Sequence, residues 1–210
     1  MRKRNSIIIA ACICLAIVSI TYFNVSKSIG SSSNYEWGQK WKELISDKND
    51  ETVMLVNEIP VTQKQLTSKM QFLEAQQVDA SEEAAQKALI KQIVLRQEAE
   101  RRGISVSLQE AESFAETTKK DLLANQDTPG AKETLEYISG TGLTVDEFFK
   151  EAVPDYQKSL MIAKLRSQVA EEIRTQFKSL SQEELETKQK AEFKTLEQEL
   201  IEKAHVKIIK

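Results

Sequence analysis

The sequence predicts a mainly helical protein: an N-terminal transmembrane helix, then a helical body in which a small sheet pairs strands from its two ends. Three observations lead to this fold class. The 210 residues include only six Gly and three Pro, too few for the many tight turns of an all-β sandwich or barrel. Ala, Leu, Glu, Lys and Gln, all strong helix formers, dominate the composition. Short extended stretches at the two ends of the body each predict a strand.

Residues 7–23 are uncharged and largely apolar, and they predict the transmembrane helix. A helix of 17–20 residues spans about 26–30 Å, close to the hydrocarbon thickness of a bilayer. Three basic residues precede it at positions 2–4, so the positive-inside rule leaves the N-terminus in the cytoplasm. Residues 1–26 are therefore expected to form a cytoplasmic tip and an uncleaved single-pass anchor in the cell membrane. A cleaved secretory signal and a lipoprotein signal at Cys12 remain as alternatives.

The remaining composition excludes several kinds of site. Both cysteines, Cys12 and Cys14, lie in the apolar segment, which leaves no thiol in the body for a disulfide or redox site. A single His leaves too few ligands for a His/Cys metal site. Apart from the three basic residues at positions 2–4, 26 basic and 32 acidic residues give a net charge of −6. That mixed, mildly acidic balance argues against a nucleic-acid partner.

Residues 27–50 predict a linker with a short helix. The Ser-rich stretch 24–35 is typical of a flexible tether with an r.m.s. reach of roughly 20 Å. Trp37 and Trp41 then occur at helical spacing. The two rings lie either at the membrane interface or against the body, and we favour the body because residues 47–50 interrupt the segment.

The body, residues 51–210, begins with a predicted strand, turn and second short strand. Residues 53–56 are rich in Val, Asn57 and Glu58 form the turn, and residues 59–61 continue the extended chain. At the other end of the body, successive side chains of residues 204–210 are expected to face opposite sides, and residues 206–209 therefore predict a strand. Because a lone strand leaves its backbone groups unpaired, residues 53–56 and 206–209 are predicted to pair with each other.

Helices are predicted for most of the remaining body. Capping boxes, a Ser or Thr followed three residues later by Gln or Glu, open three of them: Thr62 with Gln65, Ser107 with Glu110, and Thr144 with Glu147. Gly103 predicts the end of the second helix, Pro154 suits the first turn of a long helix, and residues 181–184 predict a break. The helix that Ser107 opens is expected to bury one face: Leu108, Ala111, Ala115, Thr118 and Leu122.

The strand and helix motifs together resemble the chaperone domain of the SurA, PrsA and trigger-factor group. The resemblance covers roughly residues 53–210 and rests on four stretches: 56–62 (VNEIPVT), 88–107 (ALIKQIVLRQEAERRGISVS), 142–148 (GLTVDEF) and 203–208 (KAHVKI). Glu58 stands where the group usually has Gly, which leaves the type of turn open. Many relatives insert a parvulin-type isomerase domain before the last helix, but only residues 181–191 occupy that place. The resemblance therefore implies the chaperone part alone.

Little in the sequence supports catalysis, and we expect no enzyme, no cofactor and no metal. His205 lies at an outward strand position, and no Gly-rich phosphate loop is present. A binding role requires exposed apolar side chains, and Met adapts to varied partners. The neighbouring Phe148 and Phe149 are not expected to face one core. The candidate peptide-binding residues are Met70, Phe72, Phe114, Phe148, Phe149, Tyr156 and Met161, each of which could instead pack in the core.

The anchor and the resemblance predict a membrane-anchored, extracytoplasmic chaperone that holds unfolded or secreted polypeptides without ATP. An adaptor or assembly factor for one specific membrane or secreted partner is an alternative that uses the same fold. An atypical peptidyl-prolyl isomerase is a third. The oligomeric state stays open.

Overall fold

The computed structural model describes residues 34–46 and 51–209. In this part of the chain eight helices accompany one three-stranded sheet. The helices are α1 (Asn34–Ser46), α2 (Gln63–Ala75), α3 (Glu82–Arg101), α4 (Leu108–Ala124), α5 (Pro129–Thr141), α6 (Val145–Glu151), α7 (Val153–Gln176) and α8 (Gln182–Glu202). The strands are β1 (Thr52–Val56), β2 (Ile59–Thr62) and β3 (Val206–Ile208). The predicted mainly helical class with a small sheet is confirmed for these residues.

The predicted anchor, residues 7–23, lies outside the described residues. Among the helices that are described, none combines the length and the apolar character needed to cross a bilayer.

The sheet has the order β2-β1-β3, with both pairings antiparallel. Val56 is opposite Ile59 on one side and Val206 on the other, so β1 is the central strand. The predicted pairing between the two ends of the body is therefore confirmed. Asn57 and Glu58 connect β1 to β2 with backbone φ angles of 47° and 71°. Two left-handed residues are typical of a type I′ turn, whose twist matches that of a hairpin, so this turn keeps its geometry without the usual Gly.

The capping boxes at Thr62 and Thr144 form as predicted, with both reciprocal hydrogen bonds present. The expected box at Ser107 is only half formed. The Ser107 hydroxyl accepts a hydrogen bond from the Glu110 amide, but the Glu110 carboxylate instead binds Lys164 Nζ at 2.9 Å. An ion pair between α4 and α7 has replaced the second half of the cap.

Three clusters of buried side chains form the core. The first joins the sheet to α2 and α3: Met54, Val56, Val61, Leu66, Ala85, Leu89, Ile93 and Val94. The second joins α4, α5, α6 and the start of α7: Val106, Ala111, Ala115, Leu122, Ala131, Ile138, Phe149 and Val153. The third joins α3, α7 and α8: Leu95, Ala99, Leu165, Val169, Ile173, Leu185 and Phe193. Leu108, expected on the buried face of α4, is instead 57% exposed because it occupies the first turn, beyond the residues that reach the second cluster.

Helix α1 packs against α5 at a contact made by two glycines. A Cβ atom on Gly38 would lie 2.1 Å from the Tyr137 carbonyl oxygen, and one on Gly140 would lie 2.0 Å from the Tyr35 carbonyl oxygen. Real side chains do not approach a backbone that closely, so the two helix backbones touch only because both positions are Gly. The short helix predicted within the linker is thus seated on the body.

Candidate polypeptide-binding surface

Five aromatic rings form a continuous row across four helices. Phe114 of α4 contacts Tyr156 of α7, with ring centroids 5.2 Å apart, and Tyr156 stacks on Phe149 at 6.4 Å. Phe148 follows at 5.7 Å from Phe149, and Trp41 of α1 lies 6.3 Å from Phe148. We call these five residues the aromatic row. Edge-to-face and offset contacts at such separations add to the energy of apolar burial.

The row brings together four of the seven predicted site residues, and Met161 packs against the same cluster from α7. Phe149 is 5% exposed and is a core residue, whereas Phe114, Phe148 and Tyr156 remain half-buried. Burial raises the pKa of Tyr156 to about 12, and a hydrogen bond with the Thr118 side chain opposes part of that shift. The row therefore has a buried centre and partly accessible flanks.

Phe148 and Phe149 pack in one cluster, contrary to the expectation that they could not face one core. Phe149 points into the cluster, and Phe148 lies against its outer side. Rings from two other helices, Trp41 and Tyr137, cover Phe148 at 6.3 and 6.0 Å. Because α1 packs on α5, Phe148 has apolar neighbours on its outer side, and both Phe148 and Phe149 can therefore be apolar.

The other two predicted residues lie on α2. Met70 packs against the first core cluster, while Phe72 is 44% exposed, with the Lys69 ammonium group 4.9 Å from its ring centroid. Burial lowers the pKa of Lys69, and the nearby carboxylate of Asp155 opposes part of that shift.

A separate open cleft of about 170 Å³ lies where β1, α3 and α8 meet. Val94 and Leu200 provide apolar lining, and the polar lining residues are Asn57, Gln97, Glu98, Arg101 and Lys203. Asn57 organises one side of the cleft. Its Nδ2 donates to Gln97 Oε1 at 2.7 Å, and its Oδ1 accepts from the His205 amide at 2.8 Å.

Glu98 provides the charged side of the cleft and is only 5% exposed. Arg101 donates two hydrogen bonds to its carboxylate, at 2.6 and 2.8 Å, and Arg102 donates a third at 2.6 Å. Arg102 also reaches Glu172 on α7 at 3.1 Å. The two Arg101 hydrogen bonds, together with the one from Arg102, outweigh the effect of burial and hold the pKa of Glu98 at about 2. The carboxylate is thus a fixed charge that holds Arg102, and Arg102 links the end of α3 to α7 through Glu172.

Sequence reasoning did not find this cleft. The spacing of Glu98 from Arg101 and Arg102, three and four residues along a helix, was a usable signal for a salt bridge. The role of Asn57 had no such signal, because its partners are 40 and 148 residues away in the sequence. Among the described residues, no group of three or more His, Cys, Asp or Glu could hold a metal ion.

No family model, curated protein or solved structure matches this chain.

Proposed function

We propose that the helical body is an ATP-independent chaperone that holds unfolded or secreted polypeptides, with residues 7–23 anchoring it to the outer face of the membrane. The observation that carries the proposal is the clustering of five predicted residues: Phe114, Phe148, Phe149, Tyr156 and Met161. All but Phe149 keep part of their surface accessible.

The chemistry of this surface suits weak and varied contacts. Aromatic faces and a Met thioether are polarisable and tolerate many apolar partners. Phe72 adds a more exposed ring on α2, with the Lys69 ammonium group beside it. Such contacts favour unfolded segments, which expose apolar side chains that a folded client would bury.

The test is light scattering from a chemically unfolded model protein diluted into buffer, with the full chain supplied in lipid nanodiscs. We expect the chain at several-fold excess to suppress aggregation, and empty nanodiscs to have no effect. Phe72→Ser should weaken suppression without affecting folding, because the ring is already exposed. Leu123→Ser is the matched control, since Leu123 is 43% exposed. Absence of suppression by the unaltered chain at several-fold excess would contradict the proposal.

Two further measurements separate the alternatives. Crosslinking in cells should capture many unrelated polypeptides, whereas one stoichiometric partner would favour an adaptor or assembly factor. A refolding reaction limited by proline isomerisation should proceed at its uncatalysed rate, and acceleration would favour an isomerase.

A further inference from the structure

The backbone of β3 has one edge that nothing in the described residues occupies. His205 accepts from the Asn57 amide and Ile209 donates to the Val53 carbonyl, so the odd-numbered residues direct their backbone groups toward β1. In an antiparallel pair this direction alternates along the strand. The N–H and C=O groups of Val206 and Ile208 therefore point away from the sheet.

The side chains of the same two residues lie on an uncovered part of the core face. Val206 and Ile208 are opposite Val56 and Met54, whose side chains are 0% and 1% exposed. Opposite residues of a pair share one face of the sheet. Val206 and Ile208 nevertheless remain 42% and 50% exposed, so the helices that cover β1 stop short of β3.

The two edges of the sheet differ in how they are protected. At the β2 edge, Pro60 is opposite Leu55 at a position that makes no hydrogen bond to β1, so its missing N–H lies on the outer side. Proline there discourages another strand from pairing. The β3 edge has no proline, and its two outward amide groups are available as donors.

The cleft beside Asn57 extends this surface. Asn57 lines the cleft and binds the backbone of His205, the residue that precedes Val206. The apolar lining residues Val94 and Leu200 belong to the same core cluster as Val56, the residue opposite Val206. A strand added to the edge would cover the exposed side chains of Val206 and Ile208 with its own inward side chains.

Charge limits what that strand can be. Residues 203–210 contain three Lys and no acidic side chain, in contrast to the acidic balance of the body. Lys207 projects from the outer face, opposite Leu55. A second copy pairing with Val206 opposite Ile208 would set two Lys207 side chains against each other, which is unfavourable. A strand with acidic outward residues would be complementary.

We infer that the β3 edge binds an extended segment of a client polypeptide that alternates apolar and acidic residues, by adding it to the sheet as a fourth strand. The inference rests on the proposed function and names the kind of client segment and how it is held. Main-chain hydrogen bonds from Val206 and Ile208 would provide affinity. The exposed apolar side chains of Val206 and Ile208, together with the charge of Lys207, would provide selectivity.

The test measures fluorescence anisotropy of labelled, end-capped heptapeptides mixed with the full chain in nanodiscs. A Val/Glu alternating peptide should bind more tightly than a Val/Lys peptide, and N-methylation of alternate amides should remove binding. Ile208→Pro removes an outward N–H without removing a hydrogen bond to β1. It should weaken binding about three- to tenfold, the worth of a net hydrogen bond or slightly more. Leu123→Ser, at an exposed leucine of α4 outside the β3 edge, is the control and should leave affinity unchanged.

The charge-reversing variant Lys207→Glu should reverse the preference between the two peptides. Absence of peptide binding, or equal affinity for both peptides, would overturn the inference. So would a dimer that Ile208→Pro dissociates, because the occupant would then be a second copy. Aggregation assays run in parallel keep the two ideas apart. If the chain suppresses aggregation but does not bind the peptides, only the inference about the β3 edge is contradicted. If it binds the peptides but does not suppress aggregation, only the proposed chaperone function is contradicted.

Discussion

At the scale of single residues, the side chain and backbone of Asn57 join the hairpin turn to two other elements. The Asn57 amide and Oδ1 both bond His205, and Nδ2 bonds Gln97 on α3. The following residue, Glu58, also takes a left-handed conformation, but its side chain makes no such hydrogen bond to any described residue. The two turn positions therefore respond in opposite ways to the same substitution.

We expect Glu58→Gly to stabilise the protein by about 0.5–1 kcal/mol, because relief of the left-handed conformation exceeds the added entropy of the unfolded chain. Asn57→Gly should instead destabilise it by about 1–3 kcal/mol, because two side-chain hydrogen bonds are lost. Urea denaturation of both variants provides the measurement. A gain in stability from Asn57→Gly would show that the hydrogen bonds contribute less than the backbone strain.

Glu98 predicts how stability depends on pH. Its pKa is about 2 in the folded state, against an ordinary value of 4.5, so between these values the unfolded chain binds more protons. The contribution of Glu98 is therefore complete above about pH 4.5 and is lost as the pH falls toward 2. We expect Glu98→Gln to lower the free energy of unfolding by about 2–3 kcal/mol at pH 7, and the difference to shrink on acidification.

Urea titrations between pH 3 and 7 measure this difference. Glu172→Gln is the control, since Glu172 also pairs with Arg102 but is half exposed, and exposed ion pairs contribute about 0–1 kcal/mol. A Glu98→Gln deficit that stays constant across the pH range would contradict the assignment of the low pKa.

At the scale of secondary-structure elements, the contact between α1 and α5 depends on Gly38 and Gly140. Alanine within a helix normally stabilises it by about 0.5–1 kcal/mol relative to glycine. Gly140→Ala should have the opposite effect, because the new Cβ would overlap the Tyr35 carbonyl oxygen. We expect α1 to separate from α5, which removes Trp41 from Phe148.

Tryptophan fluorescence reports this separation directly, because both Trp residues of the chain, Trp37 and Trp41, lie on α1. The emission of the Gly140→Ala variant should shift to longer wavelength under native conditions. Ser139→Ala, an exposed neighbour on α5, should leave the spectrum unchanged. An unshifted spectrum for Gly140→Ala would mean that the two backbones do not touch.

These elements also show what local sequence can and cannot predict. Caps at Thr62 and Thr144 act within four residues, so their helix starts were predictable, as was the pairing of two otherwise unpaired end strands. The α1–α5 contact joins two helices about 100 residues apart in the sequence. A glycine within a helix indicates only low helix propensity, so Gly38 and Gly140 alone did not predict the contact. The same limit applies to Phe148, since one of the two rings that cover it comes from α1. It also explains why Met70 and Phe72 lie apart from the aromatic row.

At the scale of the whole molecule, shared helices couple the three core clusters. Helix α3 contributes Ile93 and Val94 to the first cluster and Leu95 to the third, and α7 contributes Val153 to the second and Leu165 to the third. If α3 or α7 unfolds, two of the core clusters lose buried side chains at once. We therefore expect the described body to unfold in one cooperative transition.

Leu165→Ala tests this coupling, because Leu165 is fully buried in the third cluster, away from both Trp residues. The substitution should cost about 2–5 kcal/mol, as cavities in well-packed cores do. The urea midpoint should fall equally whether it is followed by circular dichroism, which detects all helices, or by Trp fluorescence, which detects α1. Leu123→Ala, at an exposed leucine, should move neither midpoint appreciably. If the urea midpoint falls by circular dichroism but not by Trp fluorescence, α1 and α5 unfold as a separate unit.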